Sequence, residues 1–353
     1  MTQDTVPALG GLLTMAMTDP KLKGLVANVG MDSLHVTGLD QARAWAAGAI
    51  AREVPLLLIT ATGHEAEDLA AELKALLGEA KVGHFPAYET LPHERLSPAP
   101  DVVGRRSKVL WEMPRVIVAA ARAACQPVLP ATEPIRIEAD REYDFSQLTE
   151  QISLFGYEHV DMVAKRGEFA TRGGLIDIFP TTAEQAVRIE FWGDEVTDLR
   201  SFSVADQRTI DEVAAVEVFP ARQLLIDATV SAKADELARK FPSNPTLVQL
   251  LTRVSEGIHA DGMEALIPAL TEQKYAALPE LMPSGAIVMV TSPEKVRTRI
   301  ADLEATDHEF LEAGWEAAAM GAEGPVAVEG LDLSASSFRS YESLEVSARN
   351  AGA

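Results

Sequence analysis

The 353-residue chain has little of what membrane, secreted and metal-binding proteins need. It contains no run of about 18 apolar residues, the length that a membrane-spanning helix requires. Its N-terminal segment has no basic region before a short apolar stretch, so we expect no secretory signal. Its single cysteine, Cys125, excludes an internal disulfide framework and cysteine-based zinc sites. These absences predict a cytoplasmic protein that does not contact a membrane.

Positive charge is also scarce, with 31 Lys and Arg against 53 Asp and Glu and a net charge of −22. Nucleic-acid binding depends on basic side chains that neutralise phosphates, so this balance disfavours long-range attraction to DNA. A solubilising acidic surface explains the charge equally well. The hydrophobic content of 47% is ordinary for a globular protein. At about 100–200 residues per domain, the length predicts two or three domains.

Three continuous apolar runs are typical of strands that are buried on both faces of a parallel sheet. They are VPLLLIT at 54–60, RVIVA at 115–119 and AIVMVT at 286–291. The helix that follows the first run has a capping box at Thr62 and Glu65, and Gly78 ends it. An extended run is also predicted at 34–38, and an amphipathic helix at 8–28. Alternating strands and helices predict an α/β fold.

The pattern changes between residues 134 and 218. Short segments with strand-like alternation follow one another, separated by glycine turns such as Gly173-Gly174 and Gly193-Asp194. This predicts a small α+β domain with an antiparallel sheet, inserted between two α/β pieces. We therefore predict domains at 1–132, 133–220 and 221–353. The last 25 residues or so are rich in Gly and Ser and predict the approach to a linker.

One segment has the local pattern of a phosphate-binding loop, in which a strand and a glycine precede a helix. It contains Thr37, Gly38, Asp40, Gln41 and Ala42. A working P-loop has a lysine that contacts phosphates and a Ser or Thr that holds Mg²⁺. Gln41 and Ala42 stand at those two positions, and Asp40 would repel phosphates. The loop is therefore degenerate, and we predict no bound nucleotide or other cofactor.

Other catalytic patterns are missing. The seven histidines lack metal-type spacing, and the G-x-S-x-G motif of α/β-hydrolases does not occur. We therefore predict no catalytic residues, no metal site and no enzyme activity for these 353 residues.

The most informative block covers residues 167–195. Strand alternation puts Val187, Ile189 and Phe191 on one face, and Arg188, Glu190 and Trp192 on the other. An arginine beside an aromatic side chain on an outward face is typical of binding hot spots. Alternatively, Arg188 pairs with Glu190 or a neighbouring acid, and Trp192 caps the edge of a core. The residues alone favour the two interpretations equally.

Two motifs of this block, GEFATRGGLIDIFP at 167–180 and RIEFWGDE at 188–195, resemble a signature shared by UvrB and the transcription-repair coupling factor (Mfd) family. Three further segments resemble the Mfd family in particular. They are FPAYETLP at 85–92, SFSVADQRT at 201–209 and GMEALIP at 262–268. The resemblance covers nearly all of residues 8–330.

This resemblance implies a split, degenerate helicase-like (RecA-type) parallel-sheet domain, whose parts 1A and 1B flank an inserted domain 2. In the family, domain 2 docks UvrA, and the family's contacts fall on Arg172, Arg188 and, with a different aromatic ring, Trp192. The expected function is a non-catalytic adaptor that recruits UvrA and links stalled RNA polymerase to nucleotide excision repair. In the family, RNA polymerase, DNA, ATP and Mg²⁺ are bound by parts of the full-length protein outside this chain.

Two alternatives stay open. The first is an enzyme domain of the UvrB kind that handles nucleotide or DNA. The degenerate loop counts against it, as does the short 86–100 segment, which holds only Tyr88 where UvrB has a tyrosine-rich hairpin that grips DNA. The second is an autoinhibitory structural module, which is compatible with the adaptor role.

Overall fold

The computed structural model describes residues 7–31, 33–92, 94–319 and 331–351. Its strands are β1 Leu56–Thr60, β2 Val82–Phe85, β3 Val116–Ala120, β4 Ile135–Glu138, β5 Arg141–Glu142, β6 Glu158–His159, β7 Glu168–Arg172, β8 Leu175–Ile178, β9 Ala186–Trp192, β10 Glu195–Phe202, β11 Thr209–Glu212, β12 Ala215–Val218 and β13 Ile287–Val290. Its helices are α1 Gly10–Ala16, α2 Pro20–Ala27, α3 Arg43–Glu53, α4 Gly63–Leu77, α5 Pro100–Glu112, α6 Ala121–Cys125, α7 Phe145–Leu154, α8 Ala228–Lys240, α9 Pro245–Ser255, α10 Ile267–Leu270, α11 Pro293–Ala319 and α12 Tyr341–Ala351.

Four strands form a parallel sheet in the order β13-β1-β3-β2. Leu56 and Leu58 pack into one apolar cluster with helices α3 and α4, while Leu57 and Ile59 pack into another on the opposite face. Both faces of the sheet are therefore covered, as the continuous apolar runs predict, and the α/β fold is confirmed. Strand β13 comes from residues 287–290 but pairs with β1, so two distant segments of the chain build this sheet.

The predicted capping box of α4 is present. The Glu65 N–H donates to Thr62 Oγ1, and the Thr62 N–H donates to Glu65 Oε2, each at 3.3 Å. The helix ends at Gly78, whose φ of 101° is a conformation that side chains with a Cβ rarely adopt.

A second sheet has the order β11-β10-β9-β8-β7-β6, with β5 added alongside β10. All its pairs are antiparallel except β6 with β7. Helix α7 covers its inner face, where Leu148 and Ile152 pack with Ile176 and Ile189. Strands β4 and β12 pair separately as an antiparallel ribbon. The region from β4 to β12 is thus the α+β unit with an antiparallel sheet that the alternating segments predict, and we call it the antiparallel unit.

Helix α5 joins the two sheets through close packing. A Cβ placed on Gly104 would lie 2.0 Å from Thr181 Oγ1, and one on Gly167 would lie 2.9 Å from Pro100 Cβ. The Lys108 ammonium lies 5.5 Å from the centre of the Phe219 ring. The antiparallel unit therefore rests against α5 with no room for an additional methyl group at Gly104.

Several local predictions were wrong. Residues 34–38 form no strand, and Leu34 and Val36 are each 43% exposed, so no sheet neighbour covers this run. The predicted helix at 8–28 is two helices, because Asp19 caps a new helix that begins at Pro20. Among the alternating segments, HVDMV at 159–163 was predicted to be a strand, but only its first residue is in one, and β11 lies outside the predicted segments.

The C-terminal segment was also predicted wrongly. Residues 341–351 form α12, and Tyr341 and Leu344 are buried in the cluster beside the parallel sheet. Residues 329, 330, 352 and 353 of the predicted linker approach lie outside the described residues.

Candidate functional site

Arg172, Arg188 and Trp192 lie on one face of the antiparallel sheet, which we call the outer face. The register sets Arg172 opposite Leu175, Arg188 opposite Asp177 and Trp192 opposite Glu195. Their neighbours Val187 and Ile189 are turned towards α7 and are buried. The predicted alternation along β9 is therefore confirmed, and the three predicted site residues share a surface.

Arg172 is the last residue of β7 and is exposed. The next residue, Gly173, has a φ of 59°, which lets the chain turn back into β8 at once. The Arg172 Nη2 atom donates a hydrogen bond of 2.6 Å to the Asp161 carbonyl. Because a guanidinium has five N–H donors in a planar fork, this bond orients the group while other donors stay available to a partner.

Trp192 ends β9 and is 82% exposed. Its neighbour Phe191 faces the other way and meets Phe145 edge to face, with ring centres 5.2 Å apart. The Trp192 ring therefore does not cap the core, and that alternative interpretation is wrong. A tryptophan held this far out of the core is a large apolar surface available for contact with a partner.

Arg188 is more enclosed, with 25% of its side chain exposed. Its Nε donates to Asp177 Oδ1 at 2.7 Å, and its Nη2 donates to Asp177 Oδ2 at 2.8 Å. The guanidinium carbon lies 4.9 Å from the centre of the Phe202 ring, and Nη2 is 3.4 Å from Gln207 Oε1. The hydrogen bonds to Asp177 raise the pKa of Arg188. The alternative that Arg188 pairs with a neighbouring acid is thus what the structure contains, and the acid is Asp177 rather than Glu190.

Sequence reasoning missed Asp177, Phe202 and Gln207 as parts of this site. An aspartate inside the apolar strand LIDIF was the available signal, because a mostly buried carboxylate needs a partner. Identifying that partner requires the register of β8 against β9, which pairs Asp177 with Arg188.

The degenerate phosphate loop has a different geometry from the predicted one. No strand precedes Gly38, whose φ is 75°, and residues 40–42 form a short 3₁₀ turn before α3. Thr37 is exposed in this segment, and Gln41 and Ala42 lead into the helix. The strand–glycine–helix arrangement that a P-loop needs is therefore absent from this part of the described chain.

Tyr88 is held in place by side chains from a neighbouring element. Its backbone N–H donates to Gln126 Oε1 at 2.8 Å, and Gln126 Nε2 donates back to the Tyr88 carbonyl at 3.0 Å. Arg122 Nε donates to the same carbonyl at 2.9 Å. These bonds fix the 86–90 segment against α6, which contrasts with a hairpin that projects to grip DNA.

The described residues contain neither a candidate metal site nor a membrane-spanning helix. No three His, Cys, Asp or Glu side chains there are grouped so that they could hold a metal ion. No helix in the described ranges has the length and apolar character needed to cross a bilayer.

Comparisons with known proteins identify related sequences. Residues 135–224 match the family model described as the UvrB interaction domain. The chain is 41% identical over 368 aligned positions to the transcription-repair-coupling factor of Mycobacterium bovis, covering 98% of this chain and 30% of that protein. It is 28% identical to the protein of the same name from Bacillus subtilis, covering 80% of this chain and 26% of the relative. For the Escherichia coli protein of that name the identity is 28%, over 67% of this chain and 21% of the relative. The chain thus spans less than a third of the length of these relatives.

Proposed function

Because the chain belongs to the transcription-repair-coupling factor family along nearly its whole length, we propose that it is the part that recruits UvrA to a stalled RNA polymerase in the bacterial cytoplasm. In this proposal the antiparallel unit docks UvrA through its outer face. RNA polymerase and DNA are bound elsewhere in the full-length protein. The family model that matches residues 135–224 covers all the strands of this face, which supports the assignment.

The observation that carries the proposal is the exposure of Arg172 and Trp192 on one rigid sheet face. An arginine on such a face suits bidentate pairing with a carboxylate of a partner. A tryptophan that is 82% exposed gains a large buried area when a partner covers it. The surrounding surface is acidic overall, so the site favours a partner that presents a precisely placed carboxylate over a diffuse negative surface.

We assign Arg188 a second role in this docking. Its bidentate bond to Asp177 holds the guanidinium rigid, while a quarter of the side chain remains exposed. In our proposal the exposed part contacts UvrA beside Arg172. Asp177 then serves as a positioning residue that keeps Arg188 in the outer face.

The domain organisation that we propose has 1A at 1–132, domain 2 at 133–220 and 1B at 221–353. In support, β13 from the third segment pairs with β1 from the first, and the antiparallel unit lies between them in the chain. The parallel sheet with helices on both faces is also compatible with a degenerate helicase-like domain.

We further propose that this part of the protein is not catalytic and binds no cofactor. Gln41 and Ala42 replace the lysine and hydroxyl side chains that nucleotide hydrolysis requires. An enzyme of the UvrB kind is the competing proposal, and calorimetric titration with Mg-ATP separates the two. Saturable micromolar binding would favour the enzyme, whereas an absence of heat supports the adaptor.

The docking proposal is tested by charge reversal at Arg172. Arg172→Glu should weaken UvrA binding by at least about 30-fold, because a lost hot spot costs about 2 kcal/mol or more. Its melting temperature should match the wild type, since the side chain is exposed. Trp192→Ala should act in the same direction. The matched control is Arg141→Glu. Arg141 lies in the same sheet, but its cross-strand neighbour is the inward-facing Val196, so it is not part of the outer face. A folded Arg172→Glu variant that binds UvrA normally refutes the docking assignment for this residue.

A further inference from the structure

A cavity of about 540 Å³ lies beside α5, away from the outer face. It is bounded by α5, by α10 and by two connecting segments, at 128–132 and 220–230. These segments are the two connections by which the chain enters and leaves the antiparallel unit. Anything bound in the cavity therefore touches both attachments of that unit to the rest of the molecule.

The cavity has an apolar interior and a polar rim. Its buried lining residues are apolar, among them Val103, Leu110, Leu224 and Leu270, with one exception among the described residues, Arg106. Polar and acidic lining residues such as Thr229, Asp227 and Glu272 are exposed at the rim. The Asp227 carboxylate is already engaged, because it accepts a hydrogen bond of 2.8 Å from the Val230 N–H at the start of α8.

Arg106 is 2% exposed and has an incomplete set of hydrogen bonds. Its guanidinium carbon lies 4.2 Å from the centre of the Phe85 ring and 4.0 Å from that of Tyr88. Nη1 donates to the Pro86 carbonyl at 2.9 Å and to Gln126 Oε1 at 3.1 Å. Nη2 has no hydrogen-bond partner among the described residues.

A buried cation without a carboxylate partner is costly, because desolvation is not offset by a counter-charge. Nothing described in the structure forms a salt bridge with Arg106. Burial accordingly lowers the pKa of this guanidinium, with the Tyr88 hydroxyl acting against the shift. A second arginine, Arg222, lines the same cavity with 23% of its side chain exposed, but its charge is compensated by Asp261 at 3.5 Å and Glu264 at 3.9 Å, which leaves Arg106 as the unpaired cation.

We propose that this cavity binds a small organic anion, whose phosphate or carboxylate group accepts hydrogen bonds from Arg106 and whose apolar body lies against the leucine and valine walls. Bound there, the ligand contacts both chain connections and stiffens the attachment of the antiparallel unit. The site is separate from the outer face, so its failure leaves the UvrA proposal standing.

The test uses phenyl phosphate as the probe on the intact 353-residue chain. Calorimetry should show saturable binding at submillimolar concentration, and thermal melting should rise with phenyl phosphate concentration. Phenol lacks the anion and inorganic phosphate lacks the apolar body, so each should bind at least about tenfold more weakly. Benzoate separates the head groups, since binding equal to that of phenyl phosphate indicates that a carboxylate suffices. No saturable binding of either phenyl phosphate or benzoate overturns the proposal.

Two variants localise the binding. Arg106→Met removes the cation but keeps an apolar side chain of similar length, and Thr229→Trp fills the rim from an exposed position. Each should weaken phenyl phosphate binding at least about tenfold. The controls are Arg105→Met, which alters an arginine on α5 that pairs with Asp101, and Ala228→Trp, which lies next to the rim position. Both controls should bind like the wild type. If Arg106→Met does not fold, Thr229→Trp alone decides, and unchanged binding in that variant overturns the proposal.

Discussion

Arg172 and Arg188 place the same functional group in two different environments, and the difference decides what each can do. Arg172 is exposed and donates one hydrogen bond to a backbone carbonyl. Arg188 is bonded twice to Asp177 and stacked near Phe202. A substitution at Arg172 therefore tests the proposed docking with little effect on the core, whereas one at Arg188 also disturbs an ion pair that is largely buried.

Charge reversal at Arg188 is consequently expected to destabilise the fold. Arg188→Glu would place a second carboxylate against Asp177, and breaking a buried pair in this way costs about 3–5 kcal/mol. The double variant Asp177→Leu with Arg188→Met should restore most of the stability, because well-packed apolar residues often replace such pairs without loss. Thermal melting of the wild type and both variants checks the order of stabilities.

The same double variant separates the two roles of Arg188. UvrA affinity that falls about tenfold or more in a fully folded double variant supports a direct contact. Normal affinity in that variant would show that Arg188 only stabilises the sheet.

Asp307 gives a prediction for the dependence of stability on pH. It lies on α11, is 6% exposed, and its Oδ1 has no hydrogen-bond partner among the described residues. Burial raises the pKa of Asp307 from 3.8 to about 6, with the neighbouring His308 acting against the shift. Between about pH 4 and pH 6 the folded state keeps this proton while the unfolded state has lost it. The stability that the protonated Asp307 side chain contributes is therefore lost as the pH rises through this range.

Asp307→Asn keeps the shape of the side chain without the ionisation. We expect it to raise the free energy of unfolding by about 1–3 kcal/mol at pH 7.5, and by less at pH 5. Chemical denaturation at the two pH values measures this difference. Asp302→Asn, an exposed change on the same helix, serves as the control. A variant that is no more stable than the wild type at pH 7.5 contradicts the prediction.

Among the elements, those with a strong local pattern could be predicted from the sequence. The runs at 54–60, 115–119 and 286–291 each contain a strand of the parallel sheet, and the strand residues are apolar except for Thr60. The alternation in β9 also specified which side chains face outward. The partner of Arg188 could not be predicted, because it depends on pairing between β8 and β9 and not on the pattern within either strand.

Elements that depend on distant packing were missed for the same reason. The run at 34–38 looks like a strand but finds no neighbouring strand, so it stays irregular. Helix α12 has a weak local signal, yet Tyr341 and Leu344 reach the cluster formed by α6 and α11. In both cases the decisive contacts are with residues far away in the sequence.

The contact between α5 and the antiparallel unit yields a prediction at the scale of elements. Gly104→Ala would bring a methyl group within 2.0 Å of Thr181 Oγ1 and 2.4 Å of Thr181 Cβ. Thr181 is 1% exposed and cannot move aside, so the two elements must separate. We expect a loss of about 1–3 kcal/mol in the free energy of unfolding, the usual range for overpacking.

Gly24→Ala is the matched control for Gly104→Ala. Gly24 lies inside α2, and a Cβ there meets nothing within 4 Å. Because alanine favours helix more than glycine does, this change should stabilise the protein by up to about 1 kcal/mol. Equal effects of the two substitutions in denaturant titrations would show that α5 does not pack as tightly as described.

At the scale of the whole molecule, the charge balance limits what this chain can do with DNA. Its 53 acidic residues outnumber the 31 basic ones. Several basic side chains in the described part are already paired with acids, including Arg105 with Asp101 and Lys108 with Glu112. The excess of acidic side chains therefore opposes the approach of this chain to the phosphate backbone, on which DNA affinity depends.

We therefore expect the chain to bind duplex DNA more weakly than the ~10⁻⁴–10⁻⁶ M typical of non-specific binding proteins at physiological salt. Any binding seen at low salt should disappear as salt is added, and a lesion in the duplex should not strengthen it. The 86–90 segment supports this expectation, because Gln126 and Arg122 hold it against the protein. Fluorescence anisotropy with intact and lesion-bearing duplexes, across a salt series, measures both effects. Submicromolar affinity that favours the lesion would mean that a local surface outweighs a net charge of −22, and would move the interpretation towards an enzyme of the UvrB kind.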